Sequence, residues 1–220
     1  MATITAETSA DQCVVMHGVD WNGYKAVLRA RGEKATPRIV YLDGEIFLMS
    51  PAFAHEHLSD RLGQFVRLVV EELDLPCVPA RSTTFRRRQK RGGVEGDETF
   101  YLANASRIVG TGNLHLRKDP PPDLAVEAVN THEADAAVEV WRRFGVPEVW
   151  VCAGDALRIL ALQPDGRYSE SPTSVSFPFL SSTEIFDWVT RPQTGNETSW
   201  IKLVRGWVRD VLVPRAKGDA

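Results

Sequence analysis

The chain has 220 residues, a formal charge of −3, 43% hydrophobic and 25% charged residues. That suffices for one globular domain with a substantial core, and it excludes a global basic field for nucleic acid. Three cysteines (Cys13, Cys77, Cys152) are too few and too scattered for a disulfide framework or a zinc knuckle. No apolar run approaches the roughly 20 residues that span a bilayer, and the first residues lack the regions of a secretory signal. A cytoplasmic protein with no membrane partner is expected.

Residues 1–18 show no periodicity and read as an N-terminal arm, leaving 19–215 as a single domain. Trp21, Tyr24, Val27 and Leu28 are spaced as one face of a helix that stops at Gly32. Two strand-like runs, 38–42 and 46–49, flank Asp43-Gly44, a turn dipeptide that predicts a hairpin. Leu58, Leu62, Phe65, Val66, Val69, Val70 and Leu73 form the clearest helical stripe, over about 53–74. Short strands follow at 77–78 and 83–85, then a basic, glycine-ended loop from Arg86 to Gly93. Strands are predicted at 99–102 and 124–129, and a helix over 132–144 closed by Gly145. Strands at 148–152 and 157–162 flank Ala153-Gly154-Asp155. Residues 163–178 read as loop or edge, and helices at 182–190 and 197–213 finish the chain. This order predicts an α/β fold, a mixed sheet packed by helices.

Two acids stand out on this framework. Asp97 follows Glu95-Gly96, and Glu127 ends the apolar run Leu124-Ala125-Val126. One carboxylate on each of two neighbouring strands suits a hard divalent cation, because Mg²⁺ takes carboxylate oxygens and keeps several waters. Spacing alone leaves open that both are solvated strand-end acids. Asp123 shares a strand face with Glu127 but lies about 13 Å from it at roughly 3.3 Å per residue, too far to share one ion. His55 falls on the Leu62 and Val69 side of its helix and points inward, while Glu56 does not.

An ordered set of stretches resembles a known family. These are Tyr41-Leu42-Asp43-Gly44-Glu45 with Met49-Ser50-Pro51, His55-Glu56, and Ser82 to Phe85 through Gly96-Asp97-Glu98. Asp119 to Glu127, Gly145 to Trp150 and the Trp207 helix complete the set. Over roughly residues 20–212 the chain resembles the Uma-type bacterial family of restriction-endonuclease-like proteins, within the PD-(D/E)XK nuclease superfamily. The resemblance implies a mixed central β-sheet flanked by helices, a Mg²⁺ or Mn²⁺ site on Asp97 and Glu127, and DNA as substrate. Asp123, which reads equally as a supporting or strand-end residue, and His55, whose inward face could reach the site or simply place a core histidine, complete the candidate catalytic set. Gly96 stands where the family usually has proline, a change read as affecting backbone stiffness more than chemistry.

The lysine of that superfamily is missing. Val129 stands two residues after Glu127, and Ala137 occupies the position used by relatives that carry the lysine on the following helix. Losing such an electrostatic donor lowers a rate by about 10²–10³. Arg142 and Arg143 are the nearest replacements in sequence. The expected activity is therefore a weakened metal-dependent DNA endonuclease, the alternative being a DNA- or protein-binding module that keeps the fold. Arg87, Arg88 and Lys90 are the expected nucleic-acid contacts, giving weak, salt-sensitive DNA binding. A homodimer is left open.

Overall fold

The computed structural model describes residues 10–128, 133–192 and 195–218. In chain order the elements are β1 (Gln12–Met16), α1 (Trp21–Arg31), β2 (Arg38–Leu42), β3 (Glu45–Ser50), α2 (Phe53–Glu72), β4 (Val78–Pro79) and β5 (Thr84–Arg87). A 3₁₀ turn (Arg88–Lys90) leads into β6 (Gly92–Glu95), β7 (Glu98–Tyr101), α3 (Ala105–Ile108), β8 (Leu124–Ala128) and α4 (Glu133–Phe144). Then come β9 (Glu148–Ala153), β10 (Ala156–Leu162), β11 (Tyr168–Ser171), α5 (Ser182–Thr190) and α6 (Glu197–Trp207). A π-helical turn (Val208–Leu212) joins α6 to α7 (Val213–Gly218).

The strands form two sheets. One is antiparallel, in the order β1-β3-β2-β6-β5; the other is mixed, in the order β11-β10-β9-β8-β7-β4. Within the mixed sheet β8 and β9 are parallel, and α4 makes the crossover that a parallel pair requires. The α/β class and flanking helices are as expected, with a second sheet added to the single mixed one that the resemblance implied.

Three apolar clusters hold the layers. On one face of the mixed sheet, Leu62, Phe65, Val66 and Val69 of α2 meet Phe100, Val126, Trp150, Ile159, Trp188 and Val204. Between the sheets, Val140, Trp141 and Phe144 of α4 pack on Val40, Phe85, Val94, Ala125 and Val149. Tyr24 and Leu28 of α1 cover Ile39, Tyr41 and Ile46 on the far face of the antiparallel sheet. The fully buried side chains of Phe65, Trp141 and Trp150 are each worth about 1.5–3 kcal/mol or more of transfer free energy.

Two strands went unseen in the sequence. Residues 12–16 are not an arm: they pair with β3, Gln12 opposite Ser50 through Met16 opposite Ile46. All five are exposed, so the edge strand carries no burial pattern to read. The Gly92–Glu95 segment, read as the end of a loop, is β6, pairing with both β2 and β5. Two glycines there look like a breaker, yet close approach demands them. A Cβ on Gly93 would sit 2.2 Å from the Tyr24 hydroxyl, and one on Gly92 would sit 3.1 Å from Val140.

Candidate active site

β6 belongs to one sheet and β7 to the other, so the chain crosses between sheets at Gly96-Asp97. The crossing aims Asp97 at β8. Glu98 pairs with Val126, and one further step of that register sets Asp97 opposite Glu127, on one side of the sheet. Gly96 permits the crossing, because a Cβ there would lie 2.8 Å from the Trp141 ring and 3.1 Å from Glu127 Oε1. Glycine at this position therefore bears on the geometry of the acids themselves, not only on backbone stiffness.

Asp97, Glu127 and His55 line one cavity of about 20 Å³, together with Asp11, Arg38, Glu95, Ala128 and Ala137 among others. Such a space holds one water-sized occupant. Asp97 Oδ2 accepts from the Ala128 N–H at 2.6 Å. Its Oδ1 faces the Arg38 guanidinium, with which it forms a buried ion pair, and His55 Nε2 at 3.1 Å. Glu127 Oε1 accepts from the Trp141 indole N–H at 2.5 Å. Glu95 is bound at both oxygens by Arg31, at 2.7 and 2.6 Å, and also accepts from the Ile39 N–H at 3.0 Å and from the Thr84 hydroxyl.

His55 is held from both sides. Its Nδ1 lies 2.9 Å from Asp11 Oδ2, and its Nε2 lies 3.2 Å from Arg38 Nη1. At Nε2 it meets both a guanidinium, which only donates, and the Asp97 carboxylate, which only accepts, so no single tautomer of His55 satisfies all of its contacts. Asp11 Oδ1 also takes the Ala52 N–H at 2.7 Å, an otherwise unsatisfied donor at the start of α2. Asp11, immediately before β1, thus fixes the residue that faces Asp97.

Other expected residues lie elsewhere. Asp123 does not line the cavity: its carboxylate takes the Leu102 N–H (2.7 Å), the Asn104 N–H (2.9 Å) and the Asn104 side-chain amide (2.6 Å). That is a brace for the turn after β7. Arg142 is bound to Glu139, and Arg143 to Glu139 and Asp43, so neither supplies the cavity with a cation. Ala137 does line the cavity, whereas Val129 and His132 fall outside the described residues. Arg87, Arg88 and Lys90 sit in and before the turn at the opposite end of β6 from Asp97. That turn is not beside the site as sequence proximity had suggested.

Arg38, Asp11, Glu95 and Trp141 were missed because each is unremarkable in sequence. Arg38 begins an apolar strand, Trp141 sits in a helical stripe, and Asp11 lies in a segment without pattern. Only the packing of two sheets and two helices brings them together.

The donor set fits a hard divalent cation. Among the described lining residues the carboxylates of Asp11, Glu95, Asp97 and Glu127 outnumber the one lining guanidinium, and Arg31 offsets only Glu95. A carboxylate oxygen has two acceptor sites, so Asp97 Oδ2 keeps one after Ala128 has taken the other. No three His, Cys, Asp or Glu converge as a metal cluster among the described residues. The protein would thus offer two carboxylates and leave the rest to water, the mode typical of Mg²⁺.

A wider cleft adjoins the cavity. Arg38 and Asp97 also line a space of about 190 Å³ with Thr36, Glu56, Arg81, Ser82 and Glu98. Burial holds the Glu98 carboxyl above the usual carboxylate range, against the opposing pull of Arg67 and Arg81.

A solved structure from Anabaena variabilis ATCC 29413, described as a "putative nuclease belonging to DUF820", is similar with a TM-score of 0.50 and 15% identity. The likeness covers 70% of this chain and 92% of that one, and at that identity it speaks for the fold alone. No curated protein matches the sequence. Residues 22–193 match the model of the Uma2 family, described as "Putative restriction endonuclease". Beta-strands β2 to β11, both candidate acids and the whole cavity wall except Asp11 fall within that match, and the chain belongs to the Uma2 family.

Proposed function

We propose that this protein is a divalent-metal-dependent DNA endonuclease, hydrolysing a phosphodiester at the Asp97–Glu127 cavity. The observation that carries this reading is the meeting of two carboxylates from adjacent antiparallel strands in one buried, formally negative cavity. Asp97 and Glu127 would hold Mg²⁺ or Mn²⁺. The bound ion would supply Lewis-acid polarisation of a phosphate oxygen and a more acidic water. The chain's own residues hold the acids in register: Ala128 N–H and Trp141 N–H each fix one carboxylate oxygen. In the hydrolysis, the water oxygen forms the new bond to phosphorus and its proton passes to solvent, as the bond from phosphorus to the leaving oxygen breaks. The leaving oxygen departs with the bonding pair and is protonated by solvent.

Ala137 on the cavity wall favours a slow version of this activity, or the second reading, a binding module that keeps the fold. DNA as the partner follows from the family description. The test is plasmid nicking with Mg²⁺ and with Mn²⁺, beside calorimetric titration of either ion. Nicking that Glu127→Gln abolishes supports the hydrolase. Metal or DNA binding without nicking supports the module, and neither ion bound would end both the metal assignment and the hydrolytic reading.

A further inference from the structure

We propose that Arg38 is the cation this site presents to the substrate phosphate, in the place of a lysine; the proposal rests on the hydrolytic reading above. Among the described residues Arg38 is the only lysine or arginine lining the cavity. It and Asp97 are also the two residues shared by the inner cavity and the adjoining cleft of about 190 Å³. The guanidinium thus stands where an incoming phosphate would meet the acids.

Its surroundings hold it there. Arg38 is 7% exposed. Nη1 contacts both Asp97 Oδ1 and His55 Nε2, and Nη2 donates to Glu56 Oε1 at 2.9 Å. Those contacts take three of five N–H donors, leaving two for a phosphate oxygen. The guanidinium and a dication would compete for Asp97, since two positive groups a few ångströms apart in a buried site repel. An ion on Asp97 therefore favours turning the guanidinium toward the cleft, where negative charge builds on the phosphate. A guanidinium suits that task because it stays protonated and binds two oxygens at once, but it moves no proton. Asp11 and His55 are positioning residues in this arrangement, acting through Arg38.

The experiment compares Arg38→Met, Arg38→Gln and Arg38→Lys with the wild type, in thermal melting, Mn²⁺ calorimetry and plasmid nicking. Removing the competing charge should tighten Mn²⁺ binding about tenfold or more in the Met and Gln variants. The same variants should nick about 10²–10³ slower, while Arg38→Lys stays within about tenfold of wild type. Opposite movement of affinity and rate is something a merely structural role would not produce. If Arg38→Met does not fold, Arg38→Gln carries the test with two side-chain donors retained. Equal loss in the Gln and Lys variants, or unchanged Mn²⁺ affinity, would overturn the proposal. So would wild-type nicking in a folded Met variant. A wild type that nicks with neither ion fails the hydrolytic reading itself, and the role of Arg38 falls with it. For the positioning pair, His55→Gln should lower kcat without raising KM for plasmid; a KM effect alone would remove His55 from this role.

Discussion

The two ends of β6 each hold a concentration of charge, and they are built in opposite ways. At the Arg88–Arg91 end, Arg88, Lys90 and Arg91 lie close together in sequence and are exposed, with Arg91 and Arg143 both spent on Asp43. At the Asp97 end, Asp11, Arg38, His55, Asp97 and Glu127 come from five separate segments and are all buried at their side chains. Contiguous charge is easily solvated and needs no partner. Dispersed charge that the fold gathers into a buried space stays only if each group is paired, so its presence there reports on the site.

The largest expected effect separates the two ends by stability. Asp97→Asn leaves the Arg38 charge buried without its main partner and should cost about 3–5 kcal/mol in urea unfolding. Asp43→Asn breaks pairs whose partners are exposed by 24% and 66%. Screening by water reduces that loss to about 1 kcal/mol or less. If the two variants lose equal stability, the contrast between paired interior charge and solvated surface charge fails.

A second substitution tests how tightly the cavity end is built. Gly96→Ala would place a methyl group 2.8 Å from the fully buried Trp141 ring. The indole must move, which should cost about 1–3 kcal/mol and loosen its hydrogen bond to Glu127. A shifted tryptophan emission together with lower urea stability is the expected result; a variant indistinguishable from wild type would show that the crossing tolerates a side chain.

Much of the fold was legible. The hairpin at Asp43-Gly44, the stripe from Leu58 to Leu73 and the strands on either side of Ala153-Gly154-Asp155 all announce themselves by period and turn chemistry. As candidates, Glu127 stood out because it ends an apolar strand run, Asp97 because it lies in a stretch that resembles the family, and His55 because it sits on the apolar face of α2. The rest required packing. Arg38 cannot be told from any strand-opening arginine until the start of β2 meets His55 and Glu56 at the start of α2, and Asp11 sits beside an edge strand whose residues are all exposed. The basic run misled because sequence proximity to Asp97 ignores the length of β6 between them.

The ends should also part with pH. Arg142, first, and Arg143 hold the Glu139 carboxyl down, to about 2 from an ordinary 4.5. Its folded value lies below its unfolded one, so its contribution is present above about pH 4.5 and fades as pH falls toward 2. Glu98 behaves in the opposite sense: burial raises its folded value, so its contribution is full below about pH 4.5 and is lost as pH rises through that value. In urea melts taken across acidic pH, Glu139→Gln should lower stability near neutrality and converge with wild type in acid. Glu98→Gln should do the reverse, gaining on wild type as pH rises. Parallel curves for both variants would contradict these assignments.

The smallest effect concerns DNA. Arg88 and Lys90 are exposed at the turn, while Arg87 is half-buried, and none lines the cavity. Any contribution they make is then to the phosphate backbone, through counterion release, at about 0.9 in the slope of log K against log salt for each contact. Neutralising Arg88 and Lys90 together should flatten that slope by at most about two, weakening all duplex sequences alike, since phosphate contacts position without specifying. The rate of nicking at saturating DNA should not change, because the turn lies at the far end of β6 from the acids. A fall in that saturated rate would mean that this end of the strand reaches the chemistry after all, and the separation between the two regions would have to be redrawn.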